Sequence, residues 1–205
     1  MPPPAVPAGT CCTLSQTCCQ VETKLDLPHA LSCKGLASRN ERHNIIRDDI
    51  LAWLQMRKLV VKKEYTPWKG NAEDGLFAVD IWVRTEKAQE LWCDISVPEP
   101  ACASYLALGS DKRAGRAAAK AESNKRSKYK AALQRHGKVG VRVVPLIIET
   151  GGYLGREFTD FLKTIEKESS SSGPSRAQLL SQISITLVKA NVEMVREAGR
   201  KALLG

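Results

Sequence analysis

This chain reads as an α/β sandwich with a mixed central sheet, and three observations predict it. Residues 76–83 and 90–97 are apolar-rich runs separated by the polar stretch 84–89, so they read as neighbouring strands. Residues 111–135 are alanine, lysine, arginine, glutamate and glutamine for the most part and are closed by Gly137, the composition of a strong helix. Residues 139–148 are nearly continuously apolar, as in a buried strand. A strand pair, a helix and a further strand in that order make the core of a layered α/β domain.

From the N-terminus, residues 1–10 are rich in Pro and Ala and are expected to be disordered. Residues 11–36 form a cysteine-rich segment with Cys11, Cys12, Cys18, Cys19 and Cys33, together with His29. A long helix is expected over 38–58, with Ile45, Ile46, Ile50, Leu51 and Leu54 facing inward. Residues 60–65 read as a short strand. Pro67, Gly70, Asn71 and Gly75 make the following loop, and Pro98 and Pro100 end the strand over 90–97. Pro145 inside the last strand argues for an edge or a bulge. After Gly151 and Gly152, a helix over 156–167 presents Phe158, Phe161, Leu162 and Ile165. The order is helix, three strands, helix, strand, then two helices. Residues 37–168 thus read as the core and 169–175 as a serine-rich linker. Residues 176–205 hold an amphipathic helix whose Leu179, Leu180, Ile183, Leu187 and Val192 cover the core.

The charge of +9 and a pI near 9.3 suggest a polyanionic partner. No apolar run approaches the roughly 20 residues of a membrane span. The first residues have neither a basic nor an apolar signal region, so no secretory signal is expected. An odd cysteine count, 7, without such a signal favours reduced thiols or metal ligands over a disulfide framework.

The chemistry concentrates in the strand pair. If its turn centres on Lys87, Asp80 lies opposite Asp94, and side-chain alternation sends both to one face with Ala78, Trp82 and Trp92. Val79, Ile81, Val83, Leu91, Cys93, Ile95 and Val97 then fill the other face. Both faces being largely apolar, the pair reads as central and covered on both sides. Opposed carboxylates repel unless a cation sits between them. Magnesium, or manganese in its place, takes carboxylate oxygens together with waters and substrate phosphate. The plainer alternative is an acidic pair facing solvent. On the helix over 111–135, one stripe runs Ala114, Ala118, Ala121, Lys125, Lys128, Ala132. Lys125 and Lys128, at i and i+3, project together, and a helix directly after the strands can carry them towards the carboxylates. An amine there would neutralise charge on a pentavalent phosphate or position the attacking water. The alternative is an exposed helix with solvated lysines, against which Tyr129 and Leu133 on the adjoining flank argue.

His29 and Cys33, at i and i+4, are candidate zinc ligands, with two more drawn from Cys11, Cys12, Cys18 and Cys19. The cysteine doublets depart from the usual CxxC spacing, so a segment without metal is the alternative. His136 and Cys102 read as incidental. Trp53, Trp68, Trp82 and Trp92 read as packing residues, with Trp68 alone placed in a polar loop where it could stack on a base.

Taken in order, His43-Asn44-xx-Arg47-Asp48, Val79-Asp80, Asp94-Ile95-Ser96, Lys125-Arg126-Ser127-Lys128-Tyr129 and residues 144–152 resemble the restriction-like endonuclease domain of site-specific non-LTR retrotransposons. Residues 29–33 resemble the end of the CCHC zinc knuckle that precedes that domain, here degenerate. The resemblance spans roughly 18–200 and implies a PD-(D/E)xK nuclease with an α-β-β-β-α-β core that nicks target DNA to prime reverse transcription. It implies Asp80 as the aspartate of the PD element and Asp94 as the second acidic metal ligand. Lys125 or Lys128 matches the catalytic lysine, moved from strand to helix, and Ser96 holds the position where other nucleases of the superfamily place it. Asp48, Asp49 or Glu64 would add a metal or water contact, and Arg47 and Asn44 a contact to DNA. His29, Cys33, Cys18 and Cys19 are the implied zinc set. Val79 departs from the usual proline, and about thirty residues separate Asp94 from Lys125. The expected partner is DNA, with RNA as the alternative, and the expected location intracellular, in the nucleus. A reverse transcriptase domain, expected in a complete element, is absent from these 205 residues, so a fragment, a domesticated remnant or a truncated gene product is expected. Two further readings stay open: a decayed, basic nucleic-acid-binding module, and a nuclease of the repair or resolvase kind.

Overall fold

The computed structural model describes residues 26–68, 78–169 and 173–204. The expectations for residues 1–25, including Cys11, Cys12, Cys18 and Cys19, lie outside the described residues, as do Gly70, Asn71, Gly75 and residues 170–172 of the linker. The elements in order are α1 (Leu27–Ser32), α2 (Ala37–Met56), β1 (Val60–Tyr65), β2 (Val79–Arg84), β3 (Glu90–Ser96), α3 (Ala103–Leu106), α4 (Arg116–Arg135), β4 (Val141–Ile147), α5 (Arg156–Glu168) and α6 (Arg176–Leu204).

The sheet has the order β1-β2-β3-β4. The first two pairings are antiparallel and the third, β3 with β4, is parallel. A parallel pair needs a crossover, and the helical connection through α4 supplies it. The sheet is therefore mixed and flanked by helices, as the run of elements predicts. β4 is an edge strand, which is where Pro145 can be tolerated.

One face of the sheet carries the main core. Ile81, Val83, Leu91, Cys93, Ile95, Val144 and Leu146 meet Ile46, Ile50, Trp53 and Leu54 of α2. Phe158, Phe161, Leu162 and Ile165 of α5 and Leu179, Ile183 and Leu187 of α6 complete this layer. On the other face Trp92 and Tyr129 pack with Val79, Trp82, Tyr65, Trp68 and Leu133, beneath α4. Ala118 and Ala121 of α4 pack on Ile147. Their small side chains let the helix approach the strand closely. Trp82 and Trp92 are cross-strand partners, and both indole nitrogens donate to Glu90 Oε1, at 2.9 and 2.7 Å.

Several details differ from the expectation. Ile45 and Val192 are 41% and 42% exposed, not inward-facing. Arg42 and Trp53 on α2, and Met194 and Ala198 on α6, take the buried positions instead. Val79 packs with Trp92 and Tyr129 rather than with Ile81. Its cross-strand partner Tyr65 follows Glu64, whose left-handed backbone (φ 49°) interrupts the alternation of β1. The helix expected from residue 111 begins at Arg116, and a short turn of helix, α3, precedes it. Among the described residues no helix is long and apolar enough to cross a membrane.

Candidate active site

The β2–β3 turn is held by Thr85 N donating to Gln89 O and Ala88 N to Thr85 O, with Ala88 at φ 61°. It places Arg84 opposite Glu90 and Ile81 opposite Cys93. One step further along the same ladder, Asp80 faces Asp94. The Asp80 Oδ2 atom accepts the Ile95 amide at 2.6 Å, which ties its carboxylate to the neighbouring strand. Lys125 Nζ lies 2.5 Å from Asp94 Oδ2. The two acids and one amine, remote in the chain, therefore converge. His43 on α2 joins them, with Nε2 3.1 Å from Asp80 Oδ2.

The two carboxylates differ in their electrostatics. Burial works against ionising Asp80, but the hydrogen bonds from His43 and from the Ile95 amide outweigh it and hold the acid below its usual value. Asp94 is more deeply buried, and burial together with the neighbouring charge of Asp80 raises it in spite of the Lys125 ammonium. The bond to Asp80 raises the His43 imidazole above its usual value against the cost of burial. Tyr129, packed beneath both acids, is raised by burial and then by the charges of Asp94 and Asp80. Paired carboxylates pushed in opposite directions are a functional-site signature.

Helix α4 reaches this point because its first turn and its flank are pinned. Gly115, its N-cap, has φ 79°, and a Cβ there would lie 2.5 Å from the Tyr153 ring. Buried Glu149, just past β4, accepts the Ala118 amide at 2.9 Å and so caps the first turn. One turn on, Glu122 Oε1 accepts the Glu157 amide at 2.9 Å and caps α5. Lys125 follows Ala118 and Ala121 on the same stripe and reaches Asp94 from there.

The acids line a cleft of ≈ 310 Å³ together with Lys125, His43, Arg39 and Asn40. Ser96 also lines it. Other sequence-predicted residues lie elsewhere. Lys128 is exposed and its ammonium sits 5.8 Å from the centre of the Tyr129 ring, outside the cleft lining. Asp48 pairs with Lys63 and Arg47, and Glu64 with Arg47 Nη1 at 2.5 Å, so neither lines the cleft. Buried Arg47 is thus engaged by carboxylates and does not present its guanidinium to solvent. Asp49 accepts from Thr186 on α6. Asn44 is exposed beside His43. Trp68 stacks on His136, ring centroids 4.0 Å apart, so that face is already covered.

Cys33 is 1% exposed within an apolar cluster of Leu31, Leu36, Met194 and Ala198. A thiol in such surroundings packs as a small hydrophobe. Its amide donates to His29 O at 2.8 Å. Among the described residues no three His, Cys, Asp or Glu side chains gather as a metal site.

The reading from sequence missed His43 and Arg39 as cleft residues. Both lie on the α2 stretch that carries the resemblance or directly precede it, and His43 is the single titratable ring there. Two carboxylates opening on a cleft are a donor set that suits a hard cation, with waters and a substrate phosphate filling its other positions. Compared with known proteins, the chain matches no family model and no curated protein.

Proposed function

We propose that this chain is a metal-dependent DNA endonuclease domain of the PD-(D/E)xK type, derived from a non-LTR retrotransposon and acting on nuclear DNA. The meeting of Asp80, Asp94 and Lys125 carries the reading. The order of motifs along the chain and the basic charge support it. Asp80 and Asp94 would hold magnesium or manganese. When bound, that ion supplies Lewis-acid stabilisation to the phosphoryl group. Lys125 Nζ, on the helix side of the cleft, neutralises charge developing on the phosphate oxygens or orients the attacking water. His43 and the Ile95 amide hold the Asp80 carboxylate in place. Asp94, raised by burial and by the charge of Asp80, has the Lys125 ammonium beside it, which favours its charged form.

Supercoiled plasmid, titrated with magnesium or manganese, tests this. The wild-type protein is expected to nick it and Asp80→Ala is expected not to. Equal behaviour of the two proteins would sink the proposal. A wild type that binds DNA without nicking would instead be the decayed nucleic-acid-binding remnant.

A further inference from the structure

The cleft has a second wall that the metal chemistry does not use. Arg39 and Arg42 line it from the first turns of α2, whereas Lys125 reaches it from α4. Arg42 is 1% exposed, yet forms no ion pair among the described residues. Its terminal nitrogens donate only to neutral acceptors: Asn191 Oδ1 at 2.8 Å, Leu31 O at 3.1 Å and Val97 O at 3.4 Å. Its Nε is buried with no hydrogen-bond partner among the described residues. Glu99 is the acid that acts on Arg42, and only at a distance beyond an ion pair, so the buried charge is incompletely compensated. Arg39, half-buried on the same wall, likewise forms no ion pair among the described residues. Burial, and after it repulsion from Arg39, holds Arg42 down at about 10 against the attraction of Glu99. Two arginines that repel each other are brought to one cleft, where an anion held at Arg39 would relieve the repulsion. The ordinary anchors cannot serve, since the free amides of Ala37 and Ser38 at the start of α2 are already taken by Glu197.

We propose that Arg39, with Asn40 beside it and the buried charge of Arg42 behind it, forms a phosphate subsite that grips the phosphodiester next to the scissile one. This rests on the nuclease reading for the identity of its ligand. Guanidinium groups match phosphate oxygens in a planar fork, which a lysine does not. With Asp80 and Asp94 in the same ≈ 310 Å³ cleft, an anion held at this wall belongs to the strand whose phosphate meets the acids. The subsite would set the strand's register, so that the scissile bond arrives at Lys125.

Arg39 is the residue to test, since Arg42 also holds α2 to its neighbours and its removal would disturb the fold. Binding of a labelled DNA duplex is measured in EDTA across a salt series for wild type, Arg39→Ala and Arg39→Lys, each with a matching thermal melt. Arg39→Ala is expected to bind about tenfold more weakly and to lower the salt slope by about one. Arg39→Lys is expected to keep the slope. A slope unchanged in Arg39→Ala overturns the proposal. In parallel, nicking of strands carrying single neutral methylphosphonates maps which phosphates each cut needs. Wild type is expected to lose cutting when the phosphate adjoining the cut is neutral, and Arg39→Ala to lose that dependence. An altered slope with no such dependence in wild type places Arg39 outside the cleft's strand path and also overturns it. If wild type never nicks but the slope change stands, the subsite holds and the hydrolytic reading falls.

Discussion

Lys125 and Lys128 are three residues apart on one helix, and only Lys125 faces Asp94. The difference follows from helical rotation, because a packed face is narrow and the exposed lysine lies outside it. Lys125→Ala is expected to lower plasmid nicking by at least about a hundredfold, the scale of losing one preorganised electrostatic contact. Lys128→Ala is expected to change it by about twofold at most, as for a surface substitution. Comparable losses from both would show that the helix presents its other edge to the substrate. The acid pair was legible because a turn centred on Lys87 fixes the ladder, and a ladder of period two decides faces. His43 was harder to read, because no local pattern distinguishes a histidine bonded across space to Asp80 from one at a helix surface. Arg42 left a faint trace: it stands four before Ile46 and eight before Ile50, on the buried stripe, but a charge there reads as an interruption.

The placement of α4 depends on its first turn. The helix was evident from composition, yet its start was not, because the residues before Arg116 carry the same basic, small-residue character. Its boundary is set by Gly115, where a left-handed backbone and the Tyr153 ring leave room for hydrogen alone. Gly115→Ala is expected to cost at least about 1–2 kcal/mol in chemical denaturation, and to weaken nicking by shifting Lys125. Glu149→Ala removes the acceptor from the Ala118 amide and should cost about 1–3 kcal/mol. Glu149→Gln keeps an acceptor and should recover part of it. Should Glu149→Ala leave stability unchanged, the cap is not what holds the helix. Glu149 was visible only as a letter in the run before Gly151-Gly152, since capping across two elements has no local signature.

The whole molecule is held shut by α6. Glu197 accepts the Ala37 and Ser38 amides and the Ser38 hydroxyl, Asn191 Nδ2 donates to Thr150 O, and Lys201 donates to Gly35 O. Helix α2, with His43 and Arg39, is thereby fixed from its start to the level of the cleft. Burial disfavours the Glu197 charge, but bonds from Ser38 and then Lys201 prevail and hold it down at about 2, against an ordinary 4.5. The depressed value means the folded state binds the proton more weakly than the unfolded chain. The contribution is therefore complete above about pH 4.5 and is lost as the pH falls towards 2. Glu197→Gln is expected to be about 1 kcal/mol less stable at pH 7, and the gap to wild type should close between those values. A gap of constant size down to pH 2 would contradict it. An amphipathic last helix was legible from its apolar spacing, but its polar anchors to α2 were not, since they join residues more than a hundred positions apart.

One consequence reaches beyond a single copy. The β4 strand lies at the rim of the sheet, where the Gly155 amide covers the carbonyl of its last residue, Ile147, and rims of this kind invite neighbouring molecules to zip on. Pro145 stands in its middle, where a ring replaces the amide hydrogen that an incoming chain would need. The same ring that made this strand look irregular in the sequence would therefore hinder edge-to-edge association, and Pro145→Val is expected to raise turbidity relative to wild type at equal concentration on standing.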